Sequence, residues 1–381
     1  MKMKVEGRKI VNIVYIIVII AILFTNFFSS PLSKLLYLKP NYEFNNITEI
    51  HFINVGQGDA IGIKFDNGKT MLVDTGIEKY RKDLTYYLDN ILLEKSNKID
   101  YLLLTHVDTD HSGNMLHILS NYDIDVLYRP KISASCEESP SNNTTSLYDE
   151  IISTAISKNI ELKYNEMGNS LVVGNNILTW LSPIDIDNKI DVESNDYSPV
   201  IRLDYNNNSA LLTGDISEDT ESELINYYSS NMLDVDILKL AHHGSAYSNS
   251  SEFINITSPL FACVSVGENT YGHPANATLE RILEYDKLNN SSLYNNLYST
   301  KEDGNIIFTL KNDILVSTIA NINEYSFVNY YIYSSIAVVI LLIGLLTPYY
   351  NAYKNRRRFI RQNKLFEESK SSQDTWCLYK L

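Results

Sequence analysis

Cysteine is scarce in this 381-residue chain. Cys136, Cys263 and Cys377 lie far apart and share no CxxC spacing, which excludes thiolate zinc fingers and a small disulfide-stapled scaffold. Fifteen glycines and nine prolines, with no internal repeat, exclude a collagen-like or linker-dominated protein. Basic side chains are sparse in the middle of the chain: residues 29–325 hold 20 Lys and Arg against 42 Asp and Glu. No basic stripe compensates this excess, so long-range attraction to a nucleic-acid backbone lacks its usual source there. Histidine is equally sparse, with seven at positions 51, 106, 111, 117, 242, 243 and 273, and none between His117 and His242. With 44% hydrophobic and 20% charged positions, the fold rests on apolar burial rather than on cross-links.

The chain ends are different in character. Residues 1–28 carry four basic side chains and one acidic, and residues 326–381 carry eight and three. Between Ile10 and Phe28 no charge occurs, and a second uncharged run extends from Tyr325 to Tyr353 around the apolar centre Ile336–Leu346. Each run is long enough for a spanning helix, which needs roughly 20 residues. Lys2, Lys4, Arg8 and Lys9 precede the first run, and Lys354, Arg356, Arg357, Arg358, Arg361 and Lys364 follow the second. By the positive-inside tendency the expectation is a cell-membrane protein, embedded through two helices, with cytoplasmic termini and an extracytoplasmic middle. The expected layout is a cytoplasmic N-terminus (1–9), a transmembrane helix (10–28), a linker (29–46), a folded domain (47–318), a second linker (319–327), a second transmembrane helix (328–348) and a basic tail (349–381).

Within the middle, strand-like runs at Ile50–Val55, Ala60–Phe65, Thr70–Asp74 and Tyr101–Thr105 alternate with turn signals and suggest a meander. Helix-like stretches follow at Tyr80–Glu94, Gly113–Ser120, Ser146–Lys158, Ser217–Tyr228 and Ala275–Tyr285. They are interleaved with strands at Val200–Leu203, Ala210–Thr213, Asp236–Leu240 and Leu260–Val264. The interleaving predicts sheets covered by helices.

The principal chemical signal is Thr105-His106-Val107-Asp108-Thr109-Asp110-His111-Ser112-Gly113, directly after an apolar strand. In extended chain His106, Asp108 and Asp110 share one face, and His111 turns back toward them as a helix begins. Imidazoles and carboxylates so concentrated are ligands for zinc, manganese or iron rather than core packing. Two further strand ends supply matching chemistry: Leu211-Leu212-Thr213-Gly214-Asp215, and Asp236–Leu240 leading into Ala241-His242-His243-Gly244-Ser245.

These motifs resemble the metallo-β-lactamase fold superfamily, and most closely the hydrolase domain of ComEC-type DNA-uptake competence proteins. The resemblance also rests on Asn54-Val55-Gly56-Gln57-Gly58-Asp59, Val73-Asp74-Thr75-Gly76, Tyr271-Gly272-His273-Pro274 and Tyr298–Ile306, and covers roughly residues 47–316. It implies an α/β fold, a four-layer αββα sandwich, here expected to be flanked by the two transmembrane helices. It further implies two divalent metal ions, zinc or manganese, or a single ion. His106 and Asp108 would hold the first, Asp110 and His111 the second, and Asp215 would bridge them. One histidine of the pair completes the second site, with His243 preferred as ligand and His242 as a substrate contact. Asp59 and Asp74 are expected beneath the site, as partners of ligand histidines or as turn carboxylates.

The chain also departs from that family's pattern. Asp108 stands where histidine is commoner, and the ligand histidine expected between the first motif and Asp215 is missing, leaving Asn195, Asp196 or water for its place. A first position rich in oxygen shifts preference toward a harder ion such as manganese. The expected reaction is phosphodiester hydrolysis by metal-activated water, with Asp110, His242, Lys239 and His273 as catalytic contacts on the attacking water, the phosphoryl oxygens or the leaving group. DNA or RNA is one substrate class, a small or envelope-borne phosphoester another, and a catalytically inactive binding module is the third reading. His51, opening a strand, and His117, inside an amphipathic stretch, are structural.

Overall fold

Along Met71-Leu72-Val73 the side chains alternate between two separate apolar cores: Met71 and Val73 face one, and Leu72 faces the other. Ala210-Leu211-Leu212, Ile237-Leu238 and Ala262-Cys263-Val264 alternate in the same way. Strands buried on both faces must lie between two packed layers, so three cores imply two sheets, face to face, with helices outside. The computed structural model, which describes residues 46–94, 96–137, 144–189, 192–319 and 346–363, has that arrangement.

Among the described residues fifteen strands occur. The first eight are β1 (Thr48–Phe52), β2 (Ile61–Lys64), β3 (Thr70–Val73), β4 (Lys98–Leu103), β5 (Asp123–Arg129), β6 (Glu161–Tyr164), β7 (Ser170–Val173) and β8 (Asn176–Trp180). They are followed by β9 (Ile201–Tyr205), β10 (Asn208–Leu212), β11 (Ile237–Lys239), β12 (Phe261–Val264), β13 (Leu297–Ser299), β14 (Asn305–Leu310) and β15 (Ile314–Ile319). One sheet has the order β15-β14-β1-β2-β3-β4-β5-β6 and the other β13-β12-β11-β10-β9-β8-β7. The core between them holds Phe52, Trp180, Leu203 and Phe308. The helices Arg81–Tyr87, Met115–Asn121 and Ser146–Ser157 cover the outer face of the first sheet, and Glu218–Tyr227, Ser251–Thr257 and Asn276–Asn289 cover the second.

The expected meander is shorter than its sequence suggested. β1, β2 and β3 pair antiparallel, but β4 pairs parallel to β3, with Met71 opposite Tyr101. The helix Arg81–Tyr87 makes the crossover that a parallel pair requires. β10, β11 and β12 are likewise parallel neighbours. Each sheet therefore has an edge at which several carboxyl ends of parallel strands emerge together.

The sandwich forms one compact unit, Glu43–Ile322. Among the described residues no helix is long and apolar enough to cross a membrane. The expected spans, 10–28 and nearly all of 328–348, lie outside the described residues. Residues 346–363 are helical, exposed throughout, and carry Lys354, Arg356, Arg357, Arg358 and Arg361, too much charge for a bilayer interior. The fold assignment is corrected accordingly to the two-sheet sandwich alone, and the membrane localisation, with cytoplasmic termini and an extracytoplasmic domain, is withdrawn.

One aromatic pair ties the sheets together near the site. Trp180 is fully buried, stacks on Tyr128 with ring centroids 5.0 Å apart, and donates its Nε1–H to Asn165 Oδ1 at 3.2 Å. Asn165 in turn donates to the Leu104 carbonyl at the end of β4. Replacing Trp180 with Ala removes this ring and its hydrogen bond, and is expected to cost about 3–5 kcal/mol; chemical denaturation followed by circular dichroism measures the loss.

Candidate metal centre

Four strand ends deliver the polar side chains. β3 leads into Asp74, β4 into the His106–His111 turn, β10 into Asp215, and β11 into His242 and His243. The turns are interwoven by backbone hydrogen bonds: Thr75 N–H donates to the His111 carbonyl at 2.7 Å, Asp59 N–H to the Asp110 carbonyl at 3.2 Å, and Gly76 N–H to the Asp59 carbonyl at 2.7 Å. This close weave explains Gly58, whose φ is +151° and whose position leaves no room for a Cβ against the Asp110 carbonyl oxygen.

Three imidazoles are held in the same way. Each has a fixed Nδ1 and a buried Nε2 without a hydrogen-bond partner. His111 Nδ1 lies 2.7 Å from Asp74 Oδ2. His243 Nδ1 lies 2.8 Å from the Ser265 carbonyl. His106 Nδ1 lies 3.0 Å from Thr105 Oγ1 and 3.3 Å from Ser198 Oγ. Such outer partners fix ring orientation and aim the second nitrogen, as around ligand histidines. The free Nε2 atoms of His111 and His243 each lie 3.2 Å from Asp215 Oδ2, and His243 Nε2 lies 3.3 Å from Asp110 Oδ2.

Two overlapping groups result, each able to hold an ion: His106, His111 and Asp215, and Asp110, His111 and His243, with ligand atoms within 4.8 Å of one another. Asp59, Asp74 and His111 form a third such group, but Asp74 is already occupied. Its Oδ1 accepts from Thr105 N–H and its Oδ2 from Thr105 Oγ1 and His111. Buried donors without partners beside carboxylates are the environment that a divalent cation completes.

The electrostatics of the metal-free residues point the same way. Burial alone would lower His243, but Asp215 and Asp110 lift it to about 10; His111 is lifted well above its usual value by Asp215 and Asp74 against the same burial. Burial would raise Asp215, and the two imidazoles instead hold it well below the carboxylate range. Burial and the neighbouring His111 push His106 down. The cluster is therefore anionic enough to retain protons where a cation would otherwise sit.

The remaining predicted residues fall into distinct places. Asp108 is half exposed, accepts a hydrogen bond from Ser194 Oγ at 2.7 Å, and has Oδ2 3.7 Å from His106 Nε2. Lys239 does not face the mouth of the site. It is buried beneath it, with Nζ 2.7 Å from Asp59 Oδ2 and 2.9 Å from the Gly214 carbonyl, so the expectation of a substrate contact is corrected. Asp59 pairs most closely with Lys239, and its carboxylate also lies 3.9 Å from His111 Nδ1 and 3.8 Å from His243 Nδ1. His242 is partly exposed, 4.0 Å from Asp215 Oδ2, and its ring meets that of His273 edge-on at 5.7 Å. His51 bonds Tyr87 and His117 bonds Thr85, both away from the cluster. Where a further histidine was expected, the turn Ser194–Tyr197 approaches instead. Asp196 caps its own turn at Glu193 N–H, while Ser198 touches His106. Thr105, Ser198 and the Ser265 carbonyl carry no signal in the sequence, because hydroxyls and backbone oxygens are common everywhere.

A two-sheet sandwich with helices outside and a His/Asp cluster at one sheet edge defines a metallohydrolase-type architecture. The pattern of the Metallo-beta-lactamase superfamily matches residues 53–267, more than half of the chain, and the chain belongs to that superfamily. Its relatives include ComE operon protein 3 of Bacillus subtilis, 27% identical over 282 residues, which cover 70% of this chain and 33% of that protein. Recombination protein 2 of Haemophilus influenzae is 28% identical over 245 residues, 62% of this chain and 26% of that protein. Competence protein ComA of Neisseria gonorrhoeae is 36% identical over 93 residues, 24% of this chain and 13% of that protein. The chain spans a third or less of each of these ComEC-type relatives. Among solved structures, the metallo-beta-lactamase fold protein YhfI from Bacillus subtilis aligns with a TM-score of 0.44 at 10% identity, covering 70% of this chain and 100% of that one.

Because Asp215, with Asp74 at His111 and Asp110 at His243, favours the protonated imidazoles, and a ligand imidazole must give its proton up, ion binding is expected to release protons. Calorimetry in buffers of different ionisation enthalpy measures this release. Heats independent of the buffer would contradict the arrangement.

Proposed function

We propose that this protein is a metal-dependent phosphodiesterase acting on nucleic-acid phosphodiesters. The observation that supports it most is the set of three Nδ1-anchored imidazoles whose free Nε2 atoms converge on Asp215. In this reading His106, Asp108 and Asp215 hold one ion, and Asp110, His111, His243 and Asp215 the other. The first position, with two carboxylates and one imidazole, suits manganese; the second, richer in imidazole, suits zinc. When bound, such ions lower the pKa of water and neutralise charge on the phosphoryl oxygens.

The chain's own residues supply position and hydrogen bonds. Burial keeps His242 and His273 below their ordinary pKa, so both are neutral at pH 7 and offer an N–H donor to a phosphoryl oxygen at the partly open mouth. Lys239 takes no part in binding substrate. It neutralises Asp59 and holds the Gly214 carbonyl, which keeps the turn before Asp215 in place. Asp74 orients His111 and Thr105 together. The relatives named for competence, recombination and, in Mycoplasma genitalium, Ribonuclease J (33% identical over 100 residues, covering 25% of this chain and 16% of that protein) support a nucleic-acid substrate.

The test is hydrolysis of bis-p-nitrophenyl phosphate and of short oligothymidylate by purified protein reconstituted with manganese or zinc. Turnover that EDTA abolishes is expected; turnover that persists in EDTA, or none with any ion, would overturn the reading. Asp74→Ala, which touches no substrate, is expected to lower metal affinity or activity about 10- to 100-fold, measured by metal titration beside the rate.

A further inference from the structure

At the rim of the metal centre stands an aromatic side chain for which packing gives no explanation. Tyr271 is 76% exposed, so most of its ring is open to solvent beside the site. Its ring lies 5.8 Å from that of His273 at an interplanar angle of 30°. The His273 ring is nearly parallel in turn to that of His243, 6.4 Å away at 29°. A short ladder of rings therefore runs from a buried imidazole of the site to the surface, and Tyr271 is its outer member.

The loop that presents Tyr271 is pinned. The Asn269 side chain accepts from Gly272 N–H at 2.9 Å and His273 N–H at 3.0 Å, and donates to the carbonyls of Gly267 and His273 at 2.9 Å and 2.8 Å. Gly272 adopts φ +79°, and the space that a side chain would fill there is open, so the turn is fixed by hydrogen bonding and backbone shape rather than by burial of its tip. An aromatic held at a fixed place beside a reactive centre and left open on one face is a stacking platform.

The charge of the chain sharpens this. With 42 acidic against 20 basic side chains in residues 29–325, release of counterions from a tracked backbone cannot supply most of the affinity for a polynucleotide. Stacking on a base is independent of that deficit. We propose that Tyr271 is a substrate-binding residue that stacks on a nucleobase next to the scissile phosphodiester, so that this protein recognises one base and one phosphate locally rather than a long strand. The proposal rests on the phosphodiesterase reading and names how its substrate is selected.

Two substrates separate the two ideas: dithymidylate, and the same phosphodiester with tetrahydrofuran in place of both base-bearing sugars. Tyr271→Ala is expected to raise KM for dithymidylate about tenfold or more with kcat retained, Tyr271→Phe to leave it near wild type, and neither to change KM for the base-free ester. Exposure of the side chain means that folding is not at stake in these variants. Binding to metal-free protein gives a second readout, since a 2-aminopurine dinucleotide should be quenched by wild type and Tyr271→Phe but not by Tyr271→Ala. Raising salt from about 50 to about 200 mM should weaken dithymidylate binding by no more than about twofold, because few phosphates are contacted. Equal KM for Tyr271→Ala and wild type on dithymidylate, or equal losses on both esters, would overturn the stacking role while leaving hydrolysis intact. Absence of turnover by wild type on either ester would remove the phosphodiesterase reading and the stacking role together.

Discussion

Burial of negative charge is the constraint on which the rest of this molecule depends. Asp59, Asp74 and Asp215 are almost wholly withdrawn from solvent at one edge of the sandwich, and carboxylates so placed must be met by hydrogen bonds or cations. Asp74 is met by Thr105 and His111, and Asp59 by Lys239. Asp215 is met by the open nitrogens of His111 and His243 at 3.2 Å, with Lys239 and His242 farther off at 3.9 Å and 4.0 Å. The last arrangement is the unfinished one, and it is where the chemistry is expected.

The backbone is bent to serve that edge. Asp74, His242 and His243 all have positive φ, at 58°, 50° and 54°, a region that costs a residue with a Cβ. Two consecutive histidines in this conformation turn their rings in different directions. His243 goes inward to Asp110 and Asp215, and His242 goes to the mouth beside His273. Parallel pairing of β3 with β4 and of β10 with β11 makes this convergence possible, because parallel neighbours release their carboxyl ends on the same side.

Much of this was legible in the amino-acid sequence because metal-ligand side chains are rare and were concentrated. The His106–His111 run, Asp215 and His243 stand out from any pattern of core packing, and the apolar runs before them marked the strands. Lys239 was misplaced for a reason that strand periodicity contains: it shares a face with Ile237, which lies in the core between the sheets, so its side chain enters the molecule below the site. The hydroxyl and carbonyl partners of the histidines were illegible, since Thr105, Ser198 and Ser265 acquire meaning only when strands distant in sequence become neighbours. The reading of two membrane spans rested on uncharged apolar runs and the basic clusters beside them, and composition of that kind does not establish a helix; nothing in the described fold requires it.

The most direct test of the central claim is anomalous diffraction from crystals of the full chain grown with manganese or with zinc. Density peaks between His106, His111 and Asp215 and between Asp110, His111 and His243, or one peak shared through His111 and Asp215, are the predicted result. Crystals in which the ion lies elsewhere, with the Nε2 atoms of His111 and His243 hydrogen-bonded to Asp215 and no peak among them, would contradict it.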